Sequence, residues 1–160
     1  MPEMAETSDR YFPWKALEAP IEMRGVVKHG FGRGSKLLGF PTANIDIADS
    51  PGMDSAESGV YFGWGKVEDG PLIKAVVSVG WNPTFNDLKT KALEVYFVHQ
   101  FPEDFYGRTI RVLVLGYVRQ MLTFDGIDPL IQAIQKDVAT SEYALDLPEF
   151  VSSRSLPFLS

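Results

Sequence analysis

Six short segments of β character follow one another along the chain, and no helical stretch separates them. Each segment is rich in β-branched or aromatic residues and is bounded by turn residues. They cover residues 21–27, 40–47, 60–67, 73–79, 92–101 and 109–118. Because parallel strands need long crossover connections, usually helices, this succession favours an antiparallel sheet. Six short strands also have edges to protect, and closure into a small barrel protects them.

Turn and helix signals frame these strands. The sequence EDGP at residues 68–71 predicts a tight reversal between the third and fourth strands, and FYGR at residues 105–108 predicts a turn before the sixth. After the last strand, Asp128 is expected to cap a helix whose first turn contains Pro129. Apolar residues at helical spacing follow, so we expect this helix to run to about residue 145.

Composition is that of an ordinary globular domain, with 45% hydrophobic residues among 160. No run of about 18 apolar residues is present, so we expect no membrane span. The acidic first residues lack the apolar segment of a leader peptide. The absence of cysteine excludes disulfides and thiolate metal sites and fits a reducing compartment, so we expect a cytoplasmic protein. The net charge of −6 argues against nucleic-acid binding.

The two ends of the chain have weaker signals. Residues 1–19 show no clear period, and we interpret them as a loose arm of a single domain that comprises residues 1–160. Residues 151–160 are a serine-rich tail, in which Leu156 and Phe158 are the side chains expected to dock on the body. No long exposed apolar segment is evident, which favours a monomer.

A glycine-rich run at residues 30–39 is the first chemical signal. Four of its ten residues are glycine, and Arg33 and Lys36 lie among them. Glycine lets the backbone lie close to a ligand with several N–H groups pointing inward, and the two cations favour an anion, most simply a polyphosphate. Ser35 stands where a Walker A loop has glycine, and Ser35 and Leu37 break the Rossmann pattern. The alternative is a mobile loop without a ligand.

Thr42 and Asn44 follow this run two residues apart. In an extended chain both side chains point to the same side. A hydroxyl and an amide oxygen on one face suit a hard cation such as Mg²⁺, which usually brings waters and substrate phosphates with it. Because neither residue is charged, such a metal would arrive bound to a nucleotide. The alternative is that Thr42 and Asn44 cap a turn.

Glu94 is a carboxylate within an apolar strand, LEVYFVH at residues 93–99. Such a group must be solvated, paired or functional. If Glu94 faces a ligand cavity, it can accept a proton from an alcohol as a general base. The alternative is a glutamate on the solvent side of the sheet. Alternation places Glu94, Tyr96 and Val98 on one face, and Leu93, Val95, Phe97 and His99 on the other.

A series of motifs, in order, closely resembles those of riboflavin kinases of the eukaryotic and bacterial type. The motifs are GFGRGSKLLGFPTANI at residues 30–45, SGVYFGW at 58–64, VVSVGWNP at 76–83, LEVYFVH at 93–99, EDFYG at 103–107 and VLGYVR at 114–119. The resemblance runs from about residue 21 to 145, and the PTAN element with the preceding glycines is specific to this family.

The resemblance implies a mainly β fold, a six-stranded antiparallel Greek-key barrel with a C-terminal α-helix. It implies Mg²⁺-dependent transfer of the γ-phosphoryl group of ATP to the terminal ribityl hydroxyl of riboflavin, giving FMN and ADP. It makes Glu94 the catalytic base and makes Thr42 and Asn44 the ligands of Mg²⁺. The ATP-binding residues it implies are Gly30, Gly32, Gly34, Lys36, Thr42, Phe97, His99 and Tyr106. The flavin-binding residues it implies are Arg119, Leu122 and Phe124.

The chain departs from the family pattern beside the expected flavin site. Gln120 and Met121 follow Arg119 where the family commonly has Pro-Glu, and TFN at residues 84–86 replaces two aromatics and a lysine. The alternative function is a barrel that binds flavin or nucleotide without turnover, but a carrier needs no base. No nucleotidyl-transferase sequence is present in these 160 residues, so we expect FAD synthesis to belong to another protein.

Overall fold

The protein is built around one six-stranded antiparallel sheet. The structure, a computed structural model, describes residues 10–28, 42–82, 87–99 and 105–160, with the backbone alone at residues 82 and 87–90. The strands are β1 (Lys15–Val26), β2 (Thr42–Ile45), β3 (Gly59–Val67), β4 (Ile73–Asn82), β5 (Asp87–Phe97) and β6 (Thr109–Arg119). The α-helices are α1 (Pro51–Ser55), α2 (Ile127–Leu145) and α3 (Pro148–Val151), and 3₁₀ turns lie at Ile47–Asp49, Ser152–Ser155 and Pro157–Leu159.

The strand order is β1-β6-β3-β4-β5-β2, which leaves β1 and β2 at the two edges. Within the part of the chain that the structure describes, one isolated bridge joins these edges, where the Lys28 amide donates to the Asn44 carbonyl at 2.8 Å. The full ladders therefore do not close, and the sheet is barrel-like with a narrow connection at its edges. The predicted antiparallel six-stranded fold with a C-terminal helix is confirmed.

Apolar clusters lie on both faces of the curved sheet. The inner cluster includes Val77, Val79, Val95, Phe97, Ile110 and Val112. The outer cluster includes Phe62, Val76 and Leu113 of the sheet, Val138 and Leu145 of α2, and Phe150 of α3. Because alternate residues of a strand point to opposite faces, Glu94 and Tyr96 belong to the outer face, against which α2 packs on β3 and β4.

Regular structure begins closer to the N-terminus than the sequence predicts. The interpretation of residues 10–19 as part of a loose arm is wrong, because β1 begins at Lys15 and Trp14 is buried. The Trp14 ring packs edge-on against Phe62 at 5.8 Å and Phe150 at 5.7 Å between ring centroids. This segment is too short to show a period, and one aromatic side chain anchors it.

Both predicted turns are confirmed, and the C-terminal half differs in detail. The helix α2 begins at Ile127 with Gly126 as its N-cap, so Asp128 lies in the first turn and is not the cap. In the tail, Phe158 packs on the outer cluster and Leu159 is buried, whereas Leu156 is exposed. No helix in the described ranges is long and apolar enough to cross a membrane.

Candidate active site

The pairing of β2 with β5 brings the predicted metal ligands next to the predicted base. Asn44 is directly opposite Glu94, and Thr42 is directly opposite Tyr96. Directly opposed residues of an antiparallel pair share a face, with their Cβ atoms about 4.5–5.5 Å apart. Residues from two distant parts of the sequence thus form one polar cluster on the outer face.

A row of paired residues extends this cluster across the sheet. Ser78 of β4 is opposite Glu94, Val60 of β3 is opposite Ser78, and Arg119 of β6 is opposite Val60. With strands about 4.8 Å apart, the row from Asn44 to Arg119 spans roughly 19 Å. The predicted metal ligand Asn44 and the predicted flavin residue Arg119 therefore lie at opposite ends of one row, with Glu94 between them.

Glu94 is partly buried on the outer face of β5. Burial raises the pKa of its carboxyl above the ordinary value of a glutamate. A higher pKa makes the carboxylate a better proton acceptor, which suits a general base. The side chain thus lies outside the inner core but is not a fully solvated surface glutamate.

The donor set fits a magnesium ion that arrives with a polyphosphate. Thr42 offers a hydroxyl and Asn44 an amide oxygen, and Glu94 adds a carboxylate next to them. These are hard oxygen donors of the kind that Mg²⁺ binds alongside waters and phosphates. The described residues contain no group of three or more His, Cys, Asp or Glu side chains that could hold a metal without help from a ligand.

Arg119 is held in place at the far end of the row. Its Nε and Nη2 donate to the two carboxylate oxygens of Asp137 in α2 at 2.7 and 2.8 Å, and its Nη1 donates to the Gln120 carbonyl at 3.1 Å. The guanidinium also lies over the rings of Phe12 and Phe124, at 5.4 and 5.8 Å from their centroids. Burial raises the pKa of the Asp137 carboxyl, and the Arg119 charge opposes that shift.

Asp137→Asn is expected to lower the free energy of unfolding by about 2 kcal/mol, because it removes a charged acceptor from a mostly buried guanidinium. Urea unfolding measures this change. The matched control is Asp146→Asn at the end of the same helix, whose carboxylate binds Lys74 at 2.7 Å but is 71% exposed. In the control the free energy of unfolding should fall by less than about 1 kcal/mol. Equal losses of unfolding free energy in Asp137→Asn and Asp146→Asn would contradict the larger contribution that we assign to the buried Arg119–Asp137 pair.

The segment that follows β6 reaches β4 through Met121. Ser78, the residue opposite Glu94, has its Oγ 4.0 Å from Met121 Sδ. A Cβ added at Gly80 would lie 3.3 Å from Met121 Cγ, so the thioether covers this end of β4. Leu122 is nearly half exposed, and Phe124 is partly buried against Arg119. Among the predicted flavin residues, the structure thus brings Arg119 and Phe124 into contact with each other.

The residues predicted at the nucleotide lie in different environments. Phe97 is fully buried in the inner cluster with its ring 5.9 Å from Phe105, so its side chain offers no surface to a ligand. His99 is partly buried just beyond β5, and Tyr106 is exposed in the turn before β6. Gly30, Gly32, Gly34 and Lys36 lie outside the described residues.

The sequence analysis did not single out two polar residues near the row, Tyr96 of β5 and Asp137 of α2. Tyr96 lies opposite Thr42, and burial together with the nearby charges of Glu94 and Asp137 raises its pKa far above the ordinary value. The signal for Tyr96 was its alternation with Glu94 in β5. Asp137 could have been noticed because it stands among the apolar residues that α2 buries. A buried carboxylate needs a cationic or hydrogen-bonding partner, so its position in the sequence indicated one.

Comparison with known proteins establishes the family of this chain. A family model described as "Flavokinase: Riboflavin kinase" matches residues 17–145. The chain belongs to the riboflavin kinase family. The family prediction made from the motifs is therefore confirmed, and with it an enzyme that phosphorylates riboflavin to FMN with ATP.

Riboflavin kinases from several organisms are similar to this member of the family. The mouse riboflavin kinase is 46% identical over 132 residues, which cover 81% of this chain and 84% of the mouse protein. A bifunctional riboflavin kinase/FMN phosphatase of Arabidopsis thaliana is 42% identical over 142 residues, but the chain spans only 37% of its length. The crystal structure of riboflavin kinase from Trypanosoma brucei superposes with a TM-score of 0.68 at 29% identity, covering 89% of this chain and 88% of that one.

Proposed function

We propose that this riboflavin kinase transfers the γ-phosphoryl group of Mg²⁺-ATP to the terminal ribityl hydroxyl of riboflavin on the outer face between β2 and β5. The observation that supports this location is the direct opposition of Asn44 and Glu94. It places a neutral oxygen ligand suited to a nucleotide-bound metal beside a carboxylate of raised pKa.

In this proposal the ribityl oxygen attacks the γ-phosphorus, the bond from that phosphorus to the β–γ bridging oxygen breaks, and the hydroxyl proton passes to Glu94. ADP leaves with the bridging oxygen. A bound Mg²⁺ would supply charge neutralisation on the polyphosphate, with Thr42 and Asn44 as its protein ligands. Because an alcohol is a poor acid, its proton leaves late, and Glu94 acts mainly by holding and orienting the hydroxyl.

The two substrates would approach Glu94 from opposite sides. On the nucleotide side we assign Thr42, His99 and Tyr106, with Gly30, Gly32, Gly34 and Lys36 of the glycine-rich run and the backbone at Phe97. On the flavin side we assign Arg119, Leu122 and Phe124. Asp137 and the Gln120 carbonyl accept one hydrogen bond from each guanidinium nitrogen of Arg119, so we assign Arg119 to support of the flavin-side segment, where its guanidinium contacts the Phe124 ring.

Incubation of the protein with riboflavin and Mg²⁺-ATP, followed by chromatography for FMN, tests the proposal. We expect FMN and ADP in equal amounts, no FMN when Mg²⁺ is chelated, and no phosphorylated product from lumiflavin, which lacks the ribityl hydroxyl. Tight flavin binding without any FMN would instead identify a carrier. That outcome would overturn the proposed function.

The pH dependence follows from the partial burial of Glu94. As a base it must be ionised, so kcat/KM should fall as the pH drops through its pKa, and the raised pKa places this acid limb above the range of an ordinary glutamate. The measurement is a pH profile of kcat/KM for riboflavin. In Glu94→Gln the residual activity should lack this limb. A limb that persists in that variant belongs to another group.

We further propose that the chain acts as a monomer and in the cytoplasm. The absence of cysteine among its 160 residues supports a reducing compartment, and the net charge of −6 supports a dispersed, soluble state. Sedimentation at micromolar concentration tests the oligomeric state, and a dimer would contradict it.

A further inference from the structure

Lys28 lies at the edge of the proposed site, next to the predicted metal ligand Asn44. The isolated bridge pairs Lys28 with Asn44, and Asn44 pairs with Glu94 on its other side. Bridge partners share a face of the sheet, so the side chains of Lys28, Asn44 and Glu94 all project from the outer face. Two strand spacings, roughly 10 Å, separate the backbones of Lys28 and Glu94, a distance that a lysine side chain can largely cover.

The present partner of Lys28 is an exposed carboxylate. Its Nζ lies 3.1 Å from Asp46 Oδ2, and the two side chains are 55% and 43% exposed. Asp46 has a second bond, because its Oδ1 accepts the Ala48 amide at 3.0 Å. This backbone bond and the Lys28 ammonium together hold the pKa of Asp46 below its ordinary value. An ion pair so exposed contributes little to stability, so Lys28 can exchange partners at small cost.

Other cations close to the row are less available. Arg119 is bonded to both carboxylate oxygens of Asp137 and is mostly buried. Lys74 donates to Asp146 at 2.7 Å and to the Glu142 carbonyl at 3.2 Å. Lys28 therefore differs from both in being held by an exposed pair beside Asn44.

We propose that Lys28 is a phosphate-binding residue of this kinase, whose ammonium is held by Asp46 in the free protein and turns to the nucleotide polyphosphate when it binds at Asn44. This inference rests on the proposed function, because it takes the polyphosphate to lie beside Asn44. A polyphosphate carries several negative charges and attracts an ammonium more strongly than a single carboxylate does. Asp46, fixed by the Ala48 amide, acts as the resting partner that holds the Lys28 ammonium near Asn44 until the nucleotide binds.

The alternative is that the ion pair merely fastens the two edges of the sheet. The two roles differ in one measurable respect, because Lys28→Met and Asp46→Asn break the same ion pair. A fastening role predicts equal effects of the two variants. A phosphate-binding role predicts that only Lys28→Met weakens nucleotide binding, since that variant removes the ammonium whereas Asp46→Asn leaves it free to reach the nucleotide.

The experiment measures the Kd of Mg²⁺-ATP by calorimetry without riboflavin, together with both KM values in the FMN assay. Lys28→Met should raise the Kd and the KM for Mg²⁺-ATP about tenfold and leave the KM for riboflavin unchanged. Lys28→Arg should restore most of the affinity, and Asp46→Asn should leave the Kd unchanged or lower it. Thermal unfolding of each variant verifies that it is folded.

Unchanged nucleotide affinity in Lys28→Met, or an equal loss in Lys28→Met and Asp46→Asn, would overturn the assignment of Lys28. Both results are distinct from failure of the proposed function, which would appear as absence of FMN with the unaltered protein. The calorimetric Kd does not depend on turnover, so it tests the role of Lys28 in nucleotide binding whether or not the protein forms FMN.

Discussion

Glu94→Gln is expected to lower kcat by about tenfold or more while the protein remains folded. Glutamine keeps the shape of the side chain but cannot accept the hydroxyl proton. The measurement is kcat for FMN formation at saturating riboflavin and Mg²⁺-ATP. The matched control is Glu22→Gln, which changes an exposed glutamate of β1 and should leave kcat unaltered.

Stability distinguishes loss of chemistry from loss of structure in this variant. Because burial raises the pKa of Glu94, the native state binds a proton at this group more tightly than the unfolded chain does. Ionisation at neutral pH therefore weakens folding. The stability contributed by the protonated group is fully present below the unfolded-state pKa and is lost as the pH rises through the raised folded-state pKa. Glutamine has no such ionisation, so Glu94→Gln should be at least as stable as the original protein at pH 7. Near-normal kcat would remove Glu94 from its proposed role.

Asn44→Ala is expected to raise the KM for Mg²⁺-ATP by about tenfold to a hundredfold and to leave riboflavin binding nearly unchanged. Thr42→Ala should act in the same direction. Each change removes an oxygen donor beside Glu94 on β2, where we propose that the nucleotide binds, whereas Met121 of the proposed flavin-side segment contacts β4. Titration with Mg²⁺ at fixed ATP, together with a separate riboflavin-binding measurement by flavin fluorescence, tests the expectation.

The control for these variants is Ser78→Ala, which removes a hydroxyl from the other side of Glu94. It should leave the KM for Mg²⁺-ATP unaltered. If Asn44→Ala impairs riboflavin binding as much as nucleotide use, then Asn44 only holds the strand, and the metal assignment fails.

The strands could be predicted from the sequence because β-branched and aromatic residues mark their centres, but their ends depend on partners. β5 begins at Asp87, in a polar stretch with little β character of its own, because β4 supplies the hydrogen bonds there. β1 begins at Lys15 for a similar reason, since β6 pairs with it. Local composition contains no information about how far a neighbouring strand extends.

The site could be predicted only in part. Alternation correctly separates Glu94 from its neighbours in β5, but it cannot say which face lines the inner core, and Phe97 proves to be the buried one. The opposition of Asn44 and Glu94 is a matter of register between strands fifty residues apart in the sequence, which no local pattern fixes. The Arg119–Asp137 pair likewise exists only after α2 folds back over the sheet. The family motifs predict the site residues, and the fold gives the positions of those that the structure describes.

The connection between the sheet edges has a consequence for ligand binding. The Asn44 carbonyl accepts the hydrogen bond that joins β2 to β1, while its side chain faces the proposed nucleotide site. If the nucleotide binds more tightly when the hydrogen bond between the Lys28 amide and the Asn44 carbonyl is formed, nucleotide binding must in turn stabilise that hydrogen bond by thermodynamic linkage. The Lys28 amide proton reports on that coupling. Its exchange with solvent deuterium should slow when Mg²⁺-ATP is added. The exchange rate of this one backbone amide therefore reports whether the nucleotide is bound beside Asn44.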